Sequence, residues 1–451
     1  MRSRPAAAPP ARSCPASRAS ASPPANSPIA CSRSPDPGET IVKHQPMIIS
    51  YILLIWFAIS FITNLIGPLM PIAIQDFKLS LTMAGFMPFS FFLAYGLISI
   101  PGGLLIEVRG TRFTLFTAFA LNFIGALAIA VMPGYVSVVA GLFVIGLGMA
   151  LLQVVINPLM RTAGGEQHFA FFSVMAQLVF GLASFLSPLA FRLYMQRPGV
   201  EGQPLAWLTF YWFFSAAFVL LALLNYKLPL PAVELKDDER AGSREAYRSL
   251  LRRRDVRLFF LAIVAYVGTE QSLANWMSQF LHSYHGMSAT EQGAIAVSRF
   301  WGLMSLGCLA GLGLLKLIDS KWVLAIFSTL AIACLALALF GSADISLLAF
   351  PAAGFFLSVM FSVIFSLGLN SVRQHHGAFS GILCTGILGG AIVPLLIGFI
   401  ADHWGLRVGL SLVFIPLLYI LSVGAWARPL VRNQTVYSAK NTPASNTPAS
   451  P

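Results

Sequence analysis

The segment "KLPLPAVELKDDERAGSREAYRSLLRRRDVR", residues 227–257, decides how this chain folds. It is the longest charged stretch between apolar runs in a chain of 451 residues that is 57% hydrophobic and 10% charged. A soluble domain carries about a quarter charged residues. On either side the sequence breaks into apolar runs long enough to cross a bilayer core of about 30 Å, which takes about 20 helical residues. Upstream these lie at 48–69, 83–106, 113–132, 136–160, 169–194 and 206–226. Downstream they lie at 257–282, 289–316, 322–341, 345–371, 377–401 and 407–427. Hydrocarbon offers no partner to open backbone groups, and the alternation of a membrane β-barrel is absent, so the runs are expected to be helices. The chain therefore reads as an all-α polytopic membrane protein: twelve transmembrane helices in two six-helix halves, 47–226 and 257–428. A solvated linker at 227–256 joins them, with a surface helix expected around "REAYRSLLRRR".

The basic residues set the orientation. Arg109, Arg112, Arg161, the linker cations, Lys316, Lys321, Arg373, Arg428, Arg432 and Lys440 fall on one side, and Lys78, Arg192, Arg197 and Arg407 on the other. The positive-inside rule places both termini in the cytoplasm of a plasma membrane, the bacterial inner membrane. Residues 1–46 are rich in Pro, Ala, Ser and Arg, without the apolar core of a secretory signal, and are expected to be disordered, as are residues 429–451. Met47 opens directly onto "MIISYILLIWFAISF", so translation is expected to start there, a targeting role for the tail being the alternative.

A net charge of +12 spread over short loops, not gathered on one folded face, argues against nucleic acid. The five cysteines have no paired spacing. His282 with His285, and His375 with His376, lack a third ligand, so no metal is expected. No phosphate-binding glycine loop calls for a nucleotide, and no cofactor is expected.

The halves echo each other. "QHFAFFSVMAQLVFGLASFLSP" (167–188) and "QHHGAFSGILCTGILGGAIVP" (374–394) both give Gln-His, Phe-Ser, a Gly and a Pro, in the fifth and eleventh runs. Such a repeat implies a central cavity at the interface of two similarly oriented bundles.

Between the second and third runs, "PGGLLIEVRGTR" (101–112) has the form Gly-x-x-x-acid-x-x-Gly followed by a base. It resembles the loop signature of the major facilitator superfamily, with Glu107 where Asp is usual. "GLGMALLQVVINPLM", "FFSVMAQ", "GFFLSVMFSVIFSLG" and "GILGGAIVPLLIGFIADHWG" are similar to the fucose and hexose proton-symporter branch, over about Ile52 to Arg428. The resemblance implies the major facilitator fold and a sugar site lined by the first, fourth, fifth and seventh spans. Asn157 and Pro158 fit the branch's Asn-Pro pair, and Gln177 fits a glutamine that contacts sugar. Two departures stand out: the branch carries proton-handling acids where this chain has Gly67 and Gln153. Either the chain is no proton symporter, or its proton is carried elsewhere.

Glu270 is the carboxylate that raises this second reading. It lies near the centre of the seventh run, where a charge costs about 2.5–3.5 kcal/mol by insertion measurements. Arg299 lies in the next, antiparallel run; at 1.5 Å per residue the two sit about 18 Å and about 15 Å below the outer boundary, so a pair is expected. One reading is a permanent ion pair that holds the second half together. The other is proton coupling, in which Glu270 gains and loses a proton as substrate binding alters its contact with Arg299. Gln271, Asn275, Ser278 and His282 form a stripe with Glu270 on its shoulder, facing protein or water. Trp276 lies on another face, either as a sugar-stacking platform or as packing.

Asn64, Gln153, Asn157 and Gln177 are open to two readings, contact with sugar hydroxyls or interhelical hydrogen bonds worth about 0.6 kcal/mol each. Amides suit an uncharged hydroxylated solute, since each hydroxyl donates and accepts. Glu107, Arg109, Gly110 and Arg112 are expected to gate, the acid meeting a helix N-terminus and the bases pairing across the halves; simple capping is the alternative. The partners expected are a small-molecule substrate, in first place a sugar, protons and the lipid bilayer, with the protein a monomer. Transport of another metabolite, efflux, and a non-transporting sensor with this fold are the competing functions. No enzyme constellation is found.

Overall fold

The computed structural model describes residues 37–164, 169–231, 244–372 and 376–428. Among these, twelve helical segments are long and apolar enough to cross a membrane, from Gln45–Phe77 to Leu406–Trp426. The first half holds α1 (Pro37–Thr63) and α2 (Ile66–Phe77), α3 (Leu81–Val131), α4 (Tyr135–Gly164), α5 (Phe169–Met195) and α6 (Thr209–Lys227). A short helix α7 (Arg244–Arg252) follows, where the linker sequence predicts one. The second half holds α8 (Arg254–His285), α9 (Ala294–Leu317), α10 (Ser320–Phe340), α11 (Ala343–Leu357) and α12 (Met360–Leu369). It ends with α13 (His376–Thr385), α14 (Gly389–Trp404), α15 (Leu406–Ser411) and α16 (Phe414–Trp426). Helix α1 begins at Pro37, inside the stretch expected to be disordered. The rest of that tail, residues 429–451, Arg373 and His375 lie outside the described residues.

Four spans are interrupted among the described residues, the twelfth at Leu412–Val413 between α15 and α16. The first bends between α1 and α2 at Asn64–Leu65, the tenth between α11 and α12 at Ser358–Val359, and the eleventh through a 3-10 turn, Gly386–Leu388. Irregular backbone at membrane depth is tolerated where it is buried in protein or lines a cavity, and interrupted helices recur at transporter binding sites. By contrast the second and third spans are joined through a continuous α3 broken only at Gly110, whose φ of 79° and ψ of 170° turn the chain. A side chain at that φ would be strained, which is why glycine closes the signature loop.

Packing repeats between the halves. A methyl group on Gly146 of the fourth span would run into the Phe91 carbonyl of the second, and one on Gly354 of the tenth would run into the Phe300 carbonyl of the eighth. Small residues at matching positions let helix backbones touch, the main source of cohesion where lipid supplies no hydrophobic drive. The twofold repeat that the sequence only hints at is thus built into the same helix contacts in each bundle.

Candidate functional site

The two halves meet most firmly on the side away from the linker. There the Asp402 carboxylate, at the end of α14, accepts the backbone N–H groups of Leu81 at 2.7 Å and Thr82 at 2.9 Å, the first turn of α3 in the other half. Gln75 and His282 approach to 3.3 Å, Arg192 and Glu291 to 3.8 Å, and the Ser298 hydroxyl donates to the Phe185 carbonyl at 2.8 Å. An aspartate on a helix N-terminus neutralises open N–H groups and complements the helix dipole. This aspartate does so across the boundary between bundles, so separating the halves on this side must break both bonds.

Just inside this closure, a side chain at Gly67 would collide with the Ala274 carbonyl of α8. Gly67 is where the resembling branch carries an acid, and here that position is a close approach between the first and seventh spans. Ala274 lies one helical turn from Glu270. The seventh span therefore offers a carboxylate beside the place where the first span has lost one.

Glu270 is half-buried and accepts a hydrogen bond from the Gln271 amide at 3.3 Å. The Tyr266 hydroxyl, one turn away, and the Cys308 thiol of α9 both lie within range of its charge. Arg299 does not join this group. Nine residues separate Arg299 from Cys308, which at 100° per residue puts them on opposite faces of α9. Arg299 is exposed, beside Leu306 and Ala310 on the outer face, and makes no ion pair with Glu270. The expected pair is corrected accordingly: depth along antiparallel helices matched, but rotation about the helix axis did not.

The other candidates separate into two groups. Asn157 and Gln177 are exposed and Gln153 is half-buried. Among the described residues, the Asn157 amide reaches the Gln153 carbonyl of its own helix, at 3.5 Å. Gln177 lies two turns before Ser184 on the same face of α5, the face that meets α1. Asn275 is buried, with its amide nitrogen lacking a partner among the described residues, and Gln271 is buried beside Glu270. These residues keep donors and acceptors that a solute could use.

Asn64 and Trp276 are used for packing instead. The Asn64 amide donates to the Ser60 carbonyl and to the Ser184 hydroxyl, both at 2.9 Å, tying α1 to α5. Trp276 is fully buried, its indole N–H donating to the Pro394 carbonyl at 3.1 Å in the seam between α8 and α14. A stacking platform at Trp276 is therefore ruled out in this conformation, because its ring is already covered by its own bundle. Sequence reading passed over Trp301, a buried tryptophan of α9 whose indole N–H has no partner among the described residues. It also passed over Tyr266; a tyrosine one turn before an acid inside an apolar run was the available signal.

The described contacts of Arg109 and Arg112 in the signature loop stay within their own half. Arg112 donates to the Leu228 carbonyl at the end of α6, the Asn225 amide donates to the Arg112 carbonyl at 3.4 Å, and the Arg109 guanidinium lies 5.3 Å from the Phe113 ring. The expectation that Arg109 and Arg112 pair across the halves is corrected: the turn at Gly110 directs both toward helices of the first bundle. Glu107 is exposed, and Gly110 supplies the turn itself.

Comparison with known proteins follows the same lines. The sequence profile described as Major Facilitator Superfamily matches residues 52–386. A glucose/galactose transporter of Brucella abortus is 29% identical over 395 residues, covering 85% of this chain and 94% of that protein. The L-fucose-proton symporter of Escherichia coli is 27% identical over 394 residues, covering 80% and 89%. A crystal structure of the E. coli fucose:proton symporter superposes with a TM-score of 0.61 at 22% identity, over 85% of this chain and 99% of that one.

Proposed function

Because the chain belongs to the Major Facilitator Superfamily, we propose that it is a secondary transporter carrying a monosaccharide by alternating access, in symport with a proton held at Glu270. The protein is an integral membrane protein of twelve helices. Its relatives that carry glucose, galactose or fucose support a sugar as the substrate, and the amides of Gln153, Asn157, Gln177, Gln271 and Asn275 suit hydroxyls better than a charged solute. The excess of basic residues on the linker side supports cytoplasmic termini, and the bacterial relatives support a bacterial inner membrane. The protein works as a monomer, each chain holding both halves of its own cavity.

One observation carries the coupling assignment: the contact of Gly67 with the Ala274 carbonyl, one turn from Glu270. An acid on the first span has no room there, while the seventh span brings its own acid to the same neighbourhood, with the Gln271 amide donating to it and Tyr266 one turn away. A carboxyl that is neutral when protonated crosses the cycle without exposing an uncompensated charge to the closed interior. Binding of sugar beside Gln271 and protonation of Glu270 are then linked through one side-chain contact.

The test is uptake into proteoliposomes. With D-glucose, D-galactose and L-fucose offered in turn, an inward proton gradient is expected to drive accumulation of at least one. The Glu270→Gln protein is expected to lose that accumulation while keeping counterflow exchange of the same sugar. Unchanged gradient-driven accumulation in Glu270→Gln would remove Glu270 from coupling; absence of any sugar flux would remove the sugar.

A further inference from the structure

Away from the central space, the linker-side ends of α10 and α16 flank a half-open cavity of about 890 Å³. Its rim carries Lys321 and Arg428, with Ser320 between the helices and Trp322 68% exposed beside it. Its wall is made largely of small residues, the apolar Ala325, Leu421, Gly424, Ala425 and Ala427 with Ser422 among them. The one acid of the lining, Asp319, uses one carboxylate oxygen to accept the Lys321 backbone N–H at 2.9 Å and so caps α10; neither cationic side chain is ion-paired with a carboxylate among the described residues. Lys316 lies just before this turn and adds a third positive charge on the same side.

We propose that this cavity is a binding site for one anionic phospholipid of the leaflet facing the linker. A depression at the edge of a membrane bundle is filled by lipid or by water. Here its composition selects: two cations at headgroup level, a tryptophan where interfacial tryptophans anchor, and an apolar slot leading toward the hydrocarbon. A phosphate lies between Lys321 and Arg428, and an acyl chain runs over Ala325 and Ala425. The site joins the eighth-to-ninth-span turn to the end of the last span, on the side where the two bundles must part and close. Lipid bound there steadies the second bundle as a rigid body.

The experiment uses the full chain in nanodiscs of phosphatidylcholine containing a small fraction of phosphatidylglycerol, with lipid retained through detergent exchange counted by mass spectrometry. Each cation near a membrane surface is worth roughly a fivefold change in anionic-lipid affinity, so Lys321→Gln with Arg428→Gln should lower retention of phosphatidylglycerol roughly twenty-fivefold. Arg252→Gln with Arg254→Gln, the same charge loss on the linker, should leave it near the original. Ala425→Leu fills the slot without altering charge and should also lower retention, while sugar counterflow reports that each variant is folded. Equal retention by the Lys321/Arg428 variant and the original protein overturns the proposal, as does equal loss in the Arg252/Arg254 variant. Displacement of the lipid by millimolar inorganic phosphate would make this a site for free anions, and would likewise overturn it.

Discussion

Replacing Asp402 with alanine should open the side of the protein away from the linker. In the closed arrangement its carboxylate accepts two backbone N–H groups of α3, at 2.7 and 2.9 Å. Loss of a helix cap costs about 0.5–2 kcal/mol, and loss of a negative charge from a helix N-terminus costs a further 0.3–1 kcal/mol or so. Asp402 is exposed, so water takes over part of both contributions, and a net loss of about 1–2 kcal/mol is expected for the closed state. Once the halves have separated, the carboxylate no longer caps α3, so the substitution leaves the open state unaffected and the whole difference moves the equilibrium. That is a change of about five- to thirtyfold in the open-to-closed ratio. Spin labels at Val136→Cys and Ser342→Cys, both exposed on this side and in opposite halves, read the distance across the gap by pulsed electron resonance in a background lacking the native cysteines. The longer-distance population should grow by that factor in Asp402→Ala and return toward the original in Asp402→Glu. An unchanged distance distribution in Asp402→Ala would refute the idea that this cap helps hold the two bundles together.

Other substitutions test the remaining assignments. Gly67→Asp restores an acid where the related symporters have one, but it must displace the Ala274 carbonyl; the same spin-label pair should report a shift toward the open state, and gradient-driven uptake should fall. Arg299→Gln removes a charge from the outer face of α9 and should leave the pH dependence of uptake where it was, in contrast to Glu270→Gln. Trp276→Ala empties a filled site between α8 and α14 and should cost about 3–5 kcal/mol, seen as a lowered melting temperature, with the KM for sugar in the surviving folded fraction little altered. Gln177→Ala, on an exposed donor and acceptor, should raise that KM several-fold without changing the melting temperature.

The sequence alone determined the twelve spans, because span length and apolar content act locally and each run must satisfy its own backbone within the bilayer, and the family was legible through the resemblance carried by the loop at 101–112 and the span motifs. It also picked out Glu270, since a carboxylate amid a long apolar run is costly wherever the helix points. Which side chains share a space was decided only by the tertiary structure. Arg299 and Glu270 agree in depth yet lie on faces that turn away from each other, and Trp276 and Asn64 proved to be packing residues because a second helix lies against each of them. Likewise Gly67, which in the sequence is only a missing acid, becomes in three dimensions the place where two helix backbones touch. Rotation about a helix axis and the identity of the neighbour across it depend on contacts between residues far apart in the chain, and no local pattern encodes them.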